Sequence, residues 1–114
     1  MNNSFSVLDR YQYVLDDYRR EGDDLDLPRE ITWTYTFLEK KQVERFECLV
    51  RHRFPSMLVS ITDLECESKL TLVPTALELA TVEAELDEIS MKIANRTESS
   101  ISIPTAVPIA KYRD

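Results

Sequence analysis

Two side chains invite a catalytic reading first. Cys48 and His52 stand four residues apart, and on a helix that spacing puts both on one side, where an imidazole can take the proton of a thiol and leave a nucleophilic thiolate. Such a pair needs an Asn or Asp to orient the imidazole, and no residue is identifiable for that role. His52 is the only histidine and lies between Arg51 and Arg53, a placement suited to cationic side chains meeting the free carbonyls of a helix end. A structural histidine beside a buried thiol is therefore expected. Cys66 is the only other cysteine; a zinc site would need further Cys or His ligands, so both cysteines are expected to be free, buried thiols of a reducing compartment. Gly22 is the only glycine, which excludes the glycine-rich phosphate loop and the dinucleotide fingerprint. No catalytic residue, metal or cofactor is assigned, and the chain reads as a protein that is not an enzyme.

The remaining groups with chemical potential are aromatic and acidic. Trp33, Tyr35 and Phe37 alternate with Thr32, Thr34 and Thr36, as on a strand with one apolar face. RNA-binding sheets display aromatic residues in this way. However, the matching basic and aromatic motif is missing from Lys69 to Leu79, and the formal net charge is -7, from 14 Lys and Arg against 21 Asp and Glu. That field opposes a phosphate backbone, so the aromatic series is expected to pack in the core and no nucleic acid is expected as a ligand. Asp16, Asp17, Glu21, Asp23, Asp24 and Asp26 form the densest acidic stretch. Their spacing departs from a calcium loop and is compatible with a solvated turn, but the same carboxylates would steer toward a basic segment of another protein. These six residues are the predicted partner-binding site. The basic group Lys40, Lys41, Arg45, Arg51 and Arg53 is interleaved with Glu39, Glu44 and Glu47 and reads as a solvated helix face.

The elements that must position these residues follow from periodicity. Val7, Leu8, Tyr11, Val14, Leu15 and Tyr18 draw one apolar stripe along a helix from Ser6 to Arg20, with Gly22 as its left-handed cap. An acidic connector, residues 23–30, is closed by Pro28. A strand follows at Ile31–Phe37, then a helix from about residue 40 to His52 or Arg53, stopped by Pro55. Met57–Leu64 reads as a second strand, and Lys69–Leu79 as a third with a bulge or an edge position at Pro74. Thr81 is a candidate cap for a helix carrying Val82, Leu86, Ile89 and Ile93, and Ile101–Ile109 is an edge strand interrupted by Pro104 and Pro108.

After the leading helix the order is strand, helix, strand, strand, helix, strand. This is the ferredoxin-like split βαβ arrangement of the α+β class, in which two helices cover a four-stranded antiparallel sheet. With 114 residues, the chain is expected to form a single domain, 1–114, whose core is residues 31–109. No apolar run approaches the roughly 20 residues that span a bilayer, and Met1-Asn2-Asn3-Ser4 lacks the marks of a signal peptide. A cytoplasmic protein without membrane contact is expected.

The run Val14-Leu15-Asp16-Asp17-Tyr18-Arg19-Arg20-Glu21-Gly22-Asp23-Asp24, a helix ending in glycine and followed at once by acid, resembles the start of the bacterial ribonuclease E inhibitor family, regulator B type. The likeness continues through the Thr-bearing strand Ile31–Phe37, the charged helix start at Glu39 and the apolar helix through Leu49. It covers element order along most of the chain and detail in roughly the first half; the family's aromatic-glycine ending is replaced by Ile101–Ile109. The resemblance implies a ferredoxin-like fold and a non-catalytic cytosolic protein that binds the endoribonuclease and lowers RNA cleavage. An immunity protein that neutralises a basic toxin would need the same physics. A small-molecule enzyme is the third alternative and would require a deep apolar pocket with convergent polar groups.

Overall fold

The computed structural model describes residues 6–94 and 98–104. Helix α1, Val7–Arg20, opens on Ser6, whose hydroxyl accepts a hydrogen bond from the Asp9 N–H at 3.1 Å. It ends as its glycine requires: the Gly22 N–H donates to Arg19 O and the Asp23 N–H to Tyr18 O, each at 3.1 Å, with Gly22 at φ 102°. Only a residue without a Cβ takes that conformation freely. Strand β1, Arg29–Thr36, then buries every second residue. Helix α2, Lys40–Arg53, starts where Gln42 Oε1 accepts from the N–H groups of Leu38 and Glu39, both at 3.2 Å.

Strands β2, Leu58–Thr62, and β3, Glu65–Leu72, form a hairpin across the two-residue turn Asp63-Leu64, with Asp63 at φ 58°. Helix α3, Ala76–Ile93, is capped by Thr75, which accepts from the Glu78 N–H at 3.1 Å. Strand β4 is Glu98–Ser102. The sheet order is β2-β3-β1-β4 with every neighbouring pair antiparallel, the arrangement of the split βαβ fold.

Several boundaries differ from expectation, the first being the start of β3 at Glu65 instead of Lys69. The third strand stops at Leu72 and the chain turns through Val73 and Pro74, so Ala76 and Leu79 are buried helix residues in register with Val82, Leu86 and Ile89. Thr81 is consequently interior to α3, and its hydroxyl bonds back to Leu77 O at 2.7 Å. The last strand begins earlier than Ile101, and the stretch expected to continue to Ile109 lies outside the described residues from 105 onward. Pro104 follows β4 without interrupting it.

All three helices cover one face of the sheet, with α3 packed against both α1 and α2. Ile31, Trp33, Tyr35 and Phe37 are enclosed together with Phe46, Val50, Leu86 and Ile89, while Ile93 is half-buried. The Phe46 ring lies 4.9 Å from that of Tyr35 and 5.1 Å from that of Phe37, centroid to centroid, within the range of favourable aromatic pairs. The aromatic series is therefore core. Among the described residues no helix is long and apolar enough to cross a membrane.

Candidate protein-interaction surface

The six acidic residues singled out in the sequence separate into different environments. Asp16 accepts hydrogen bonds from Gln12 at 3.0 Å and from Arg19 at 3.1 Å, and Asp17 pairs with Arg20 at 2.8 Å. Both of these carboxylates are thus balanced by a cation one turn later. Glu21 is exposed at the helix end, and Asp24 folds its own loop by accepting from the Asp26 N–H at 3.0 Å. Asp23 is not solvated at all. Its carboxylate meets the Arg29 guanidinium at 2.6 Å, with the two side chains 0% and 2% exposed.

Arg29 also donates to Asp24 O at 2.7 Å, to Leu27 O at 3.1 and 3.3 Å, and to Pro104 O at 3.4 Å. One side chain thereby ties the connector, the start of β1 and the chain beyond β4 together. The expectation of a polar connector whose carboxylates are free for a partner fails at Asp23. A buried charge survives only with a partner, and Arg29, six residues on and at a core-facing position of β1, supplies it through Asp23 Oδ2, while Asp23 Oδ1 accepts no hydrogen bond among the described residues. Its place beside Pro28, at the start of a strand, gave no such signal.

The sheet face opposite the helices carries what the sequence reading missed. Its residues are the alternate ones: Glu30, Thr32, Thr34 and Thr36 of β1, Glu65, Glu67, Lys69 and Thr71 of β3, Leu58, Ser60 and Thr62 of β2, and Glu98, Ser100 and Ser102 of β4. Read across the strands, the rows are Leu58-Lys69-Thr32-Ser102, Ser60-Glu67-Thr34-Ser100 and Thr62-Glu65-Thr36-Glu98. Four carboxylates stand among hydroxyls with one lysine. None of the four is in an ion pair among the described residues. The signal was present as the period-two alternation of Thr, Ser and Glu, but it is spread over four strands and never forms a run.

On the helix side, the polar tips of the core aromatics bond within the fold. Trp33 Nε1 donates to Tyr11 Oη at 3.3 Å, Tyr11 Oη donates to Glu83, and Glu83 accepts both Arg10 contacts, at 2.7 and 2.8 Å. Tyr35 Oη donates to Asp87. Burial, reinforced by these carboxylates, holds the Tyr11 and Tyr35 phenols above their ordinary range. Burial likewise raises the Asp87 carboxyl, against the hydrogen bond from Tyr35. The cluster joins α1 and α3 to β1 and leaves no group poised as a nucleophile.

Cys48, expected to be buried, is exposed on α2, as is His52, while Cys66 lies in the core with its thiol pushed up to about 11 by burial. Both are free. Among the described residues no three His, Cys, Asp or Glu side chains converge as a metal site would require. One cavity of about 190 Å³ lies between α1, the connector and the start of α3, and another of about 110 Å³ between α1, α3 and β4. Both are smaller than the ~300 Å³ at which small-molecule sites begin.

Comparison with known protein families, with curated proteins and with solved structures finds no match to any of them.

Proposed function

We propose that the protein is a non-catalytic regulator that acts by binding another protein, in the manner of the endoribonuclease inhibitors that its first half resembles. One observation supports this reading above others: Glu30, Glu65, Glu67 and Glu98 stand unpaired on the open face of the sheet, among hydroxyls and beside Lys69 alone. Such a face accelerates encounter with a basic protein surface and repels phosphate. It also lacks the aromatic residues on which bases stack. In this reading the partner is a cytoplasmic bacterial endoribonuclease whose RNA-binding surface is basic, and contact with that surface lowers cleavage. No RNA contact and no cofactor are involved. The same carboxylates favour a second reading, immunity against a basic toxin, and position of the gene directly after a toxin gene would distinguish it.

The test is an RNA-cleavage assay with a purified ribonuclease E-type enzyme and increasing amounts of the protein, run beside a titration of the protein against the RNA alone. Cleavage slows while no RNA is bound, and exchanging the four glutamates for glutamine removes most of the effect at low ionic strength. Unchanged cleavage, or tight salt-sensitive binding to RNA, would overturn the reading.

A further inference from the structure

The sheet has two open edges, β2 and β4. In an antiparallel ladder, residues alternate between those that bond to the neighbour and those whose N–H and C=O point away. The Phe37 N–H bonds to Leu64 O at 3.0 Å, extending the β1–β3 register, so the odd residues of β1 bond to β3 and the even ones to β4. Thr36, Thr34 and Thr32 are therefore the residues bonded to Glu98, Ser100 and Ser102, and Ser99, Ile101 and Ile103 turn their backbone groups outward. By the same alternation the outward residues of β2 are Val59 and Ile61.

On β2 the outward carbonyl of Val59 is already occupied, accepting from Arg51 Nη2 at 2.6 Å. Beyond β4 the carbonyl of Ile103 accepts from the Tyr18 hydroxyl. Between them, Ser99 and Ile101 keep outward donors and acceptors with no partner among the described residues. Within Glu98–Ser102 this edge carries no lysine, proline or bulge of the kind that protects exposed strands, and Pro104 lies past it. Beside it, on the helix side, opens the cavity of about 110 Å³, lined by Arg10, Trp33, Tyr35, Glu83, Ser99 and Ile101.

We infer that the free edge of β4 is a strand-addition site for an extended, basic segment of a partner protein. This deepens, and rests on, the protein-binding function proposed above. Main-chain bonds to Ser99 and Ile101 would supply the pairing, as in other strand-addition complexes. Alternate side chains of the added strand fall on opposite faces. Those on the helix side reach the cavity, which has room for a small aliphatic group. Those on the other side stand next to Glu98 and extend the face that holds Glu30, Glu65 and Glu67, so they are basic. A second copy of the chain is disfavoured by that charge: pairing two β4 strands would join two acidic faces into one sheet.

The experiment uses a fluorescent ten-residue peptide of alternating lysine and valine, the same peptide N-methylated on alternate backbone amides, and the parent protein beside Ser99→Pro. Proline at 99 removes an outward N–H from an exposed residue and leaves the bonds to β1 in place, and an unchanged circular dichroism spectrum checks the fold. The unmodified peptide binds, the Ser99 and Ile101 amides gain protection from hydrogen exchange, and either N-methylation or Ser99→Pro weakens binding at least tenfold. No binding, or binding that survives both backbone changes, overturns the site. So does self-association of the parent that Ser99→Pro abolishes, since the occupant would then be a second copy. If Ser99→Pro still inhibits the ribonuclease, the edge site fails and the regulator reading stands. If the peptide binds through Ser99 but the ribonuclease is unaffected, the reverse holds.

Discussion

Replacing Asp23 with alanine should remove a large part of the protein's stability, although the residue lies in a sequence of charged and turn-forming neighbours. The Arg29 guanidinium is 2% exposed, so losing Asp23 leaves a cation enclosed with only neutral carbonyls, those of Asp24, Leu27 and Pro104. Breaking a buried pair from one side costs about 3–5 kcal/mol. The surviving carbonyl bonds place this case near the lower end, at about 3 kcal/mol. Against the roughly 5–15 kcal/mol that holds small domains folded, this corresponds to a fall in Tm of about 10 °C or more. Asn at the same position keeps an acceptor for Arg29 Nη1 and loses only the charge, so it should cost less. Urea denaturation followed by circular dichroism measures all three proteins, and a double variant, Asp23→Leu with Arg29→Met, should lie closer to the parent than Asp23→Ala does. An Asp23→Ala midpoint equivalent to less than about 1 kcal/mol would refute the reasoning, because Arg29 would then not depend on the carboxylate.

Thiol titration should count one fast-reacting cysteine, Cys48, in the native protein and a second, Cys66, only after denaturation. Because the Cys66 thiol sits at about 11 in the fold against 9.0 ordinarily, the unfolded chain loses its proton first, so stability should fall as pH rises from about 9 to about 11, and Cys66→Ala should remove that component of the denaturation profile. Asp87 has a raised carboxyl pKa through burial, so its contribution is complete at low pH and is lost as pH rises through the folded value. Asp87→Asn should flatten the pH profile of stability over the weakly acidic range, and carbon-detected titration of the carboxyl should show the upward shift directly. Gly22→Ala should destabilise by more than about 1 kcal/mol in the same denaturation assay, since φ 102° is closed to alanine without strain.

The fold was legible where a single periodicity ran without interruption. The stripe from Val7 to Tyr18, the alternation of Ile31 to Phe37 and the helical spacing of Val43, Phe46 and Val50 all appear in the structure at close to the expected bounds. It was least legible around Pro74, where Leu70 and Leu72 belong to a strand and Ala76 and Leu79 to a helix; both are apolar, and no period separates them until Thr75 is recognised as the cap. The candidate surface was legible only in part. Local charge density marked residues 16–26, and half of that charge, at Asp16, Asp17 and Asp23, is matched within one turn or enclosed by Arg29. Further unmatched charge lies at Glu30, Glu65, Glu67 and Glu98, and only strand pairing places them on one face.

The bond from the Tyr18 hydroxyl to Ile103 O joins residues 85 apart in sequence. Loops of that length close slowly and contribute little to early folding, whereas the β2–β3 hairpin closes across two residues. During synthesis, α1 emerges before α3, against which it packs most, and its inward residue Tyr11 also meets Trp33 of β1. The nascent chain must therefore carry an amphipathic helix without its main counterpart while the residues between Arg20 and Ala76 are added. The cations and carboxylates that pair along the outer side of α1 give that helix a polar face independent of the rest of the fold.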